Sequence, residues 1–239
     1  MAEFIAAGRT VPAENGWKWV VEGWNLFKRQ PGMWIALTVV FIVISIVLAF
    51  IPVLGSLVSM VLGPVFAGGL VIGCRAQDEG GELKIEHLFA GFRERFVTLA
   101  TIGALYLVAT VVIVLVAGLV TGVKLYSLLG GGASDPGAIV SAALTLVLAL
   151  LIMLALMLPV FMAIWFASPL AVFHQLGAVG SMSASFFGCL KNMVPFLIYS
   201  LILLVLAIVA SIPFGLGWLV LGPVIAASLY TAYRDIYFS

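Results

Sequence analysis

MWIALTVVFIVISIVLAFIPVLGSLVSMVLGPVFAGGLVIGC, residues 33–74, contains no lysine, arginine, aspartate, glutamate or histidine. A helix needs about 20 apolar residues to cross a hydrocarbon core of roughly 30 Å. This stretch holds two such runs, 33–51 and 54–74, with Pro52 and Gly55 to break the helix between them. It predicts a transmembrane hairpin with a tight, uncharged turn. Four further runs follow, at 96–123, 139–173, 194–212 and 215–233, giving six predicted spans. The fourth run is too long for one straight span, and Pro159 and Pro169 are expected to kink it or to turn its end along the interface.

Composition agrees with this reading. The 239 residues are 64% hydrophobic and 9% charged, with a mean hydropathy of +1.27. Soluble domains run at roughly 45–50% apolar and about 25% charged, so too few charges are present to clothe a water-facing surface. The net charge of +1 gives no electrostatic case for nucleic acid. Residues 1–12 lack the basic and apolar regions of a cleaved leader, so the first span is expected to drive insertion. Cys74 and Cys189 lie far apart without metal-ligand spacing and are expected to be free, partly buried thiols.

The distribution of basic residues sets a direction. Of the 11 lysines and arginines, every one except Lys124 falls on the same side of the predicted spans. The positive-inside rule makes that side cytoplasmic. Both termini are therefore expected in the cytoplasm, and the glycine-rich loop at 130–137 outside it.

Aligning the chain with itself reveals a threefold repeat. Leu62-Gly-Pro-Val-Phe-Ala-Gly-Gly-Leu70, Met157-Leu-Pro-Val-Phe-Met-Ala163 and Leu221-Gly-Pro-Val-Ile-Ala-Ala-Ser-Leu229 each place a Pro-Val step in the second helix of a hairpin. Eleven residues, about three helical turns, separate Pro64 from Arg75 and Pro223 from Arg234. The middle copy has Leu170 at that offset and His174 later. An amphipathic segment precedes each hairpin. Its apolar stripe is Trp17, Val20, Trp24 and Phe27 in the first copy, Leu88, Phe89, Phe92 and Phe96 in the second, and Met182, Phe186 and Leu190 in the third. Such segments are expected to lie in the headgroup plane, with Pro31 and Pro195 separating two of them from the following span. The predicted fold is all-α, a single membrane domain over 1–239, with same-sense repeats at about 16–75, 85–175 and 178–235. Gly55, Ser59, Gly63 and Ala67, with Gly69-x-x-x-Gly73 and Gly118-x-x-x-Gly122, are small-residue faces where helices can approach closely.

Chemistry is sparse. The predicted spans contain essentially no ionisable residue, which argues against proton-coupled or charged-solute transport. Ser168 and His174 sit six apart on different helix faces and do not make a nucleophile–base pair. The acidic turn at 78–82 fixes no ligand geometry for a metal, His87 and His174 lack useful neighbours, and LLGGGASDPG lacks the Gly-Lys ending of a phosphate loop. No catalytic, cofactor or metal residue is expected. Arg75 and Arg234, alike in the repeat, are the candidate binding residues, for an anionic lipid headgroup on the cytoplasmic side. Asp78 and Asp235 follow closely and are their expected local partners. The expected function is a non-enzymatic membrane module that binds lipid or assembles with other inner-membrane proteins. A passive channel or carrier for an uncharged or lipidic substrate is the alternative.

The segments Trp17-Lys-Trp19, Trp24-Asn-Leu-Phe-Lys28-Arg-Gln-Pro31, Cys74-Arg-Ala-Gln-Asp78-Glu-Gly-Gly-Glu82 and Leu88-Phe-Ala-Gly-Phe92 carry a family likeness. Through them the chain resembles a family of small proteobacterial inner-membrane proteins of about six spans and no assigned activity. It is more distantly similar to the membrane domains attached to some glycerophosphodiester phosphodiesterases, whose catalytic domain it lacks. The resemblance implies the fold and an inner-membrane location, and carries over no site.

Overall fold

The computed structural model describes residues 3–129 and 136–239. Ten α-helices are found among them: α1 (Asn15–Arg29), α2 (Pro31–Ala49), α3 (Leu54–Asp78), α4 (Ala90–Glu94), α5 (Phe96–Leu129), α6 (Pro136–Trp165), α7 (Ala167–His174), α8 (Ala178–Lys191), α9 (Met193–Ser211) and α10 (Trp218–Tyr237). A 3₁₀ turn at Ile85–Phe89 precedes α4. No strand occurs among the described residues, and the two terminal segments meet in a single antiparallel bridge from Phe4 to Phe238. The glycine-rich loop predicted outside the cytoplasm lies, over 130–135, outside the described residues.

Five stretches are long and apolar enough to cross a bilayer: Pro31–Ala49, Leu54–Asp78, Phe96–Leu119, Val140–His174 and Met193–Ser211. Only 11% of the first is buried, against 44% of the second. Such exposed Val, Ile and Leu surface requires hydrocarbon as its solvent. α10 falls outside this group because its last turns carry tyrosines, Arg234 and Asp235.

The chain divides into two compact units, Met1–Ala104 with Met162–Ser239, and Leu105–Phe161. In the smaller unit, Tyr106 and Phe161 meet with ring centroids 6.3 Å apart. A gap of about 40 Å³ is lined by side chains including Ile113, Ala149 and Met153.

The larger unit holds most of the buried side chains. α1 packs on α10, the 3₁₀ turn and α4 pack on α3, and α8 packs on α7. Backbone meets backbone at these crossings. A Cβ on Gly23 would lie 2.7 Å from the Ser228 nitrogen, and Gly69 and Gly91 press against the backbone at Leu88 and Val65. Of the glycines in the predicted small-residue faces, Gly55, Gly69 and Gly73 are used, whereas Gly63, Gly118 and Gly122 face open space.

In the first and third amphipathic segments the buried face differs from the stripe expected. α1 buries Trp19, Val20, Gly23, Leu26 and Phe27, while Trp17 and Trp24 stay exposed. The inner face is centred on Gly16 and Gly23, because only glycine permits the helix to sit against its neighbours' backbones. In α8, the buried positions are Ser181, Ser185, Gly188 and Cys189, and Leu190 points outward. Small residues with satisfied hydroxyls replace a hydrophobic stripe there.

The fourth predicted span breaks at Phe166, while α6 runs unbroken through Pro159. Ser185 of α8 accepts a hydrogen bond from the Phe166 N–H (2.9 Å) and donates to the Met162 carbonyl (2.7 Å). Those two backbone groups would bond each other in a regular helix. The inserted hydroxyl, together with Pro169, which offers no N–H to the turn before it, separates α7 from α6. Ser185→Ala strands two groups at a fully buried position. It is expected to cost about 1–3 kcal/mol, read as a lowered unfolding temperature of the reconstituted protein.

Prolines also mark the starts of two helices, and the chain turns tightly between α2 and α3 and between α9 and α10. Pro31 opens α2 and Pro195 lies in the first turn of α9. The tight turns are made with left-handed residues, Val53 in one and Phe214 and Gly215 in the other. Both cysteines are free and buried.

Candidate functional site

The eleven-residue spacing from proline to arginine acts through helical register. Pro64 and Pro223 lie inside α3 and α10, and three turns later Arg75 and Arg234 emerge at the ends of those helices. Both side chains line one cavity of about 920 Å³ within the larger unit. α1 contributes Lys18, Trp19 and Glu22, and the end of α7 contributes Phe173 and His174. Where Pro159 is followed by Leu170 at the eleven-residue offset, it is His174, four residues further on, that reaches the same space.

The cavity is lined by four basic residues (Arg9, Lys18, Arg75, Arg234) and four acidic ones (Glu22, Asp78, Glu79, Asp235). Asp78 and Asp235 find partners across the fold, where local pairing was expected, whereas Arg75 pairs within its own helix. Asp78 of α3 accepts from Arg234 of α10 and from the Tyr230 hydroxyl. Arg75 donates through Nε to Glu79, one turn on, at 2.8 Å. Asp235 takes Arg9 at 3.0 Å, Asn15 Nδ2 at 2.7 Å and Trp19 Nε1 at 2.8 Å. Adjacent residues on a helix diverge by about 100°, so Arg234 and Asp235 are directed to different partners. Each arginine also lies over a ring, Arg75 at 5.2 Å from Phe173 and Arg234 at 6.0 Å from Tyr230.

Glu22 is the carboxylate that these pairs leave out. Lys18, one turn away, bonds Glu14 at 2.5 Å and Asn15 at 3.2 Å instead. Partial burial, and then the nearby Asp235 charge, raise the Glu22 carboxyl above its usual range.

The remaining polar candidates are structural. Ser168 donates to the Pro64 carbonyl at 3.1 Å, tying α7 to α3. His174 meets the Tyr233 hydroxyl at 2.6 Å and stacks on Phe4, so Ser168 and His174 are not brought together. His87 Nδ1 accepts the Lys84 N–H at 3.0 Å. Among the described residues, no three His, Cys, Asp or Glu side chains group as a metal site would require.

A probable inner membrane protein of Burkholderia thailandensis is 30% identical to this chain over 212 residues, which cover 87% of the chain and 78% of the relative. The chain belongs to this family of inner-membrane proteins. With several long apolar helices, it is a multi-pass protein of that membrane. The relative's name states no enzymatic activity. No family profile and no solved structure matches the chain.

Reading the sequence alone missed three members of the site. Trp19 lies off the stripe formed by Trp17, Val20, Trp24 and Phe27, and its partner Asp235 is 216 positions away. Arg9 is in a segment without periodicity. Glu22 is exposed, as its polar position on the helix suggests, and the only sequence signal for its place in the site is its position one turn beyond Lys18 on a helix carrying three tryptophans.

Proposed function

We propose that this family member is a non-enzymatic membrane module of six spans, built as three same-sense repeats. In this reading Arg75 and Arg234 hold the phosphate of an anionic lipid headgroup at the cytoplasmic end. One observation carries it: two arginines from different repeats line one cavity, and each commits a single N–H to a protein carboxylate. A guanidinium has five N–H donors, and a phosphate can take the remainder in bidentate fashion.

The repeat is supported by a cyclic packing rule. The amphipathic segment of each repeat lies on the second hairpin helix of the repeat before it: α4 on α3, α8 on α7, and α1 on α10. The sixth span is supported by burial. Most of the second half of α10 is enclosed by protein, including Tyr230, Thr231, Tyr233 and Ile236, so it can cross without the hydropathy that lipid exposure demands. Arg9, Lys18, Arg75 and Arg234 around a single cavity support placing both termini on one side, which the charge bias assigns to the cytoplasm. Close glycine crossings support a packed binding module over an open pore.

The test is native mass spectrometry of protein extracted from its own membrane into nanodiscs. The wild type is expected to retain stoichiometric phospholipid, and Arg75→Gln/Arg234→Gln to lose it. The Arg75 and Arg234 ion pairs are half-exposed and worth about 0–1 kcal/mol each. The double variant should therefore unfold near the wild-type temperature. Equal lipid retention in a folded double variant would remove the reading.

A further inference from the structure

We propose that the headgroup taken by this cavity is zwitterionic, a phosphate carrying a primary ammonium, with the phosphate on Arg75 and Arg234 and the ammonium on Glu22. The inference rests on the lipid-binding reading above; it keeps the phosphate contact with the two arginines and replaces a net-anionic headgroup with a zwitterionic one.

Four acidic side chains and four basic ones line the cavity, and a ligand of matching character brings one group of each sign. Asp78, Glu79 and Asp235 each accept from an arginine. Glu22 accepts no hydrogen bond and joins no ion pair among the described residues, although Lys18 is one turn away and turned toward Glu14. Asp235 and Asp78 act on Glu22 in one direction and Arg234 and Lys18 against them, with Asp235 the strongest of the four; an ammonium on Glu22 would offset that negative charge.

The kind of ammonium follows from the rings. A quaternary ammonium is recognised by open aromatic faces. Here Phe173 and Tyr230 already carry Arg75 and Arg234, Trp19 and Tyr233 are only 1% exposed, and Phe238 packs against the rings of Phe4, His174 and Tyr233. A bare carboxylate remains, which suits a primary ammonium with three N–H donors. The volume of about 920 Å³ falls within the roughly 300–1,000 Å³ of small-molecule sites. It admits a phosphoethanolamine group with its glycerol.

The experiment presents the full-length protein in nanodiscs with phosphatidylethanolamine, phosphatidylcholine and phosphatidylglycerol of identical acyl chains, and separately with soluble phosphoethanolamine. Bound species are counted by native mass spectrometry. Wild type should prefer phosphatidylethanolamine over the other two by about tenfold, the worth of one charge-assisted contact of ~1.4 kcal/mol. Glu22→Gln should bring phosphatidylethanolamine down to the level of phosphatidylcholine and leave phosphatidylglycerol unchanged. Arg75→Gln/Arg234→Gln should lose all three. A Glu22→Gln variant that keeps the preference, or a wild type that favours phosphatidylglycerol, overturns the zwitterion assignment while leaving the lipid reading in place. Full retention by the folded arginine variant overturns both. Soluble phosphoethanolamine bound through Glu22 in the absence of retained lipid overturns the lipid source and upholds the paired phosphate and ammonium contacts.

Discussion

Gly23→Leu is expected to prevent α1 from seating on α10. A Cβ at that position would lie 2.7 Å from the nitrogen, 2.8 Å from Cβ and 2.9 Å from Cα of Ser228. These are atoms of a helix backbone and its first side-chain carbon, which cannot swing aside. Overpacking a well-filled core costs about 1–3 kcal/mol where neighbours can yield, and here the whole helix must move. The crossing also holds Trp19, whose indole sits between Phe196 and Tyr199 at 5.2 and 5.8 Å, and the Thr231 hydroxyl, which donates to the Trp19 carbonyl at 3.0 Å. Gly180→Ala is the matched control, because Gly180 is helical, exposed and has open space at its Cβ position. It should be neutral, or stabilise by about 0.4–1 kcal/mol through the unfolded chain. Unfolding followed by tryptophan fluorescence in nanodiscs should show a large loss for Gly23→Leu and none for Gly180→Ala.

Asp235→Ala is the second large effect. One carboxylate accepts from three side chains that the chain brings from its first twenty residues: Arg9, Asn15 and Trp19. Trp19 is 1% exposed, so its indole N–H would be left without a partner and without water. Losing one buried donor's acceptor costs about 1–3 kcal/mol. With Asn15 also stranded and Arg9 released, the total should reach roughly 2–4 kcal/mol. Asp235→Asn, which keeps one acceptor oxygen, should lose less. Limited proteolysis should find the first helix cleaved faster in Asp235→Ala and close to wild type in Asp235→Asn.

What could be read from residues alone depended on range. The charge-free run at 33–74 locates α2 and α3 to within a few residues, because a bilayer demands about 20 apolar residues and Pro52 falls in the turn between the two runs. The prolines at 64 and 223 set Arg75 and Arg234 in equivalent places because helical register is local. The break at Phe166 was not readable to the residue, since it needs the Ser185 hydroxyl from a different helix. The partner of Asp78 was equally hidden, lying 156 positions away in Arg234. α1 shows the same limit from the other side. Its amphipathic spacing is plain, yet whether Trp17 or Trp19 faces inward is decided by where Gly16 and Gly23 meet backbone from α9 and α10.

Hydropathy supplies five spans, whereas the repeat and the buried second half of α10 argue for six, and the two counts place Ser239 on opposite sides of the membrane. Single cysteines at Ile51, Glu82, Phe214 and Ser239 can be labelled with an impermeant maleimide in spheroplasts and in inverted vesicles. The native thiols should stay silent, as both are buried and burial pushes Cys189 up to about 12. Glu82→Cys and Ser239→Cys are expected to label only from the cytoplasmic face, and Ile51→Cys and Phe214→Cys only from outside. Labelling of Ser239→Cys from outside, with Glu82→Cys still cytoplasmic, would contradict the six-span count.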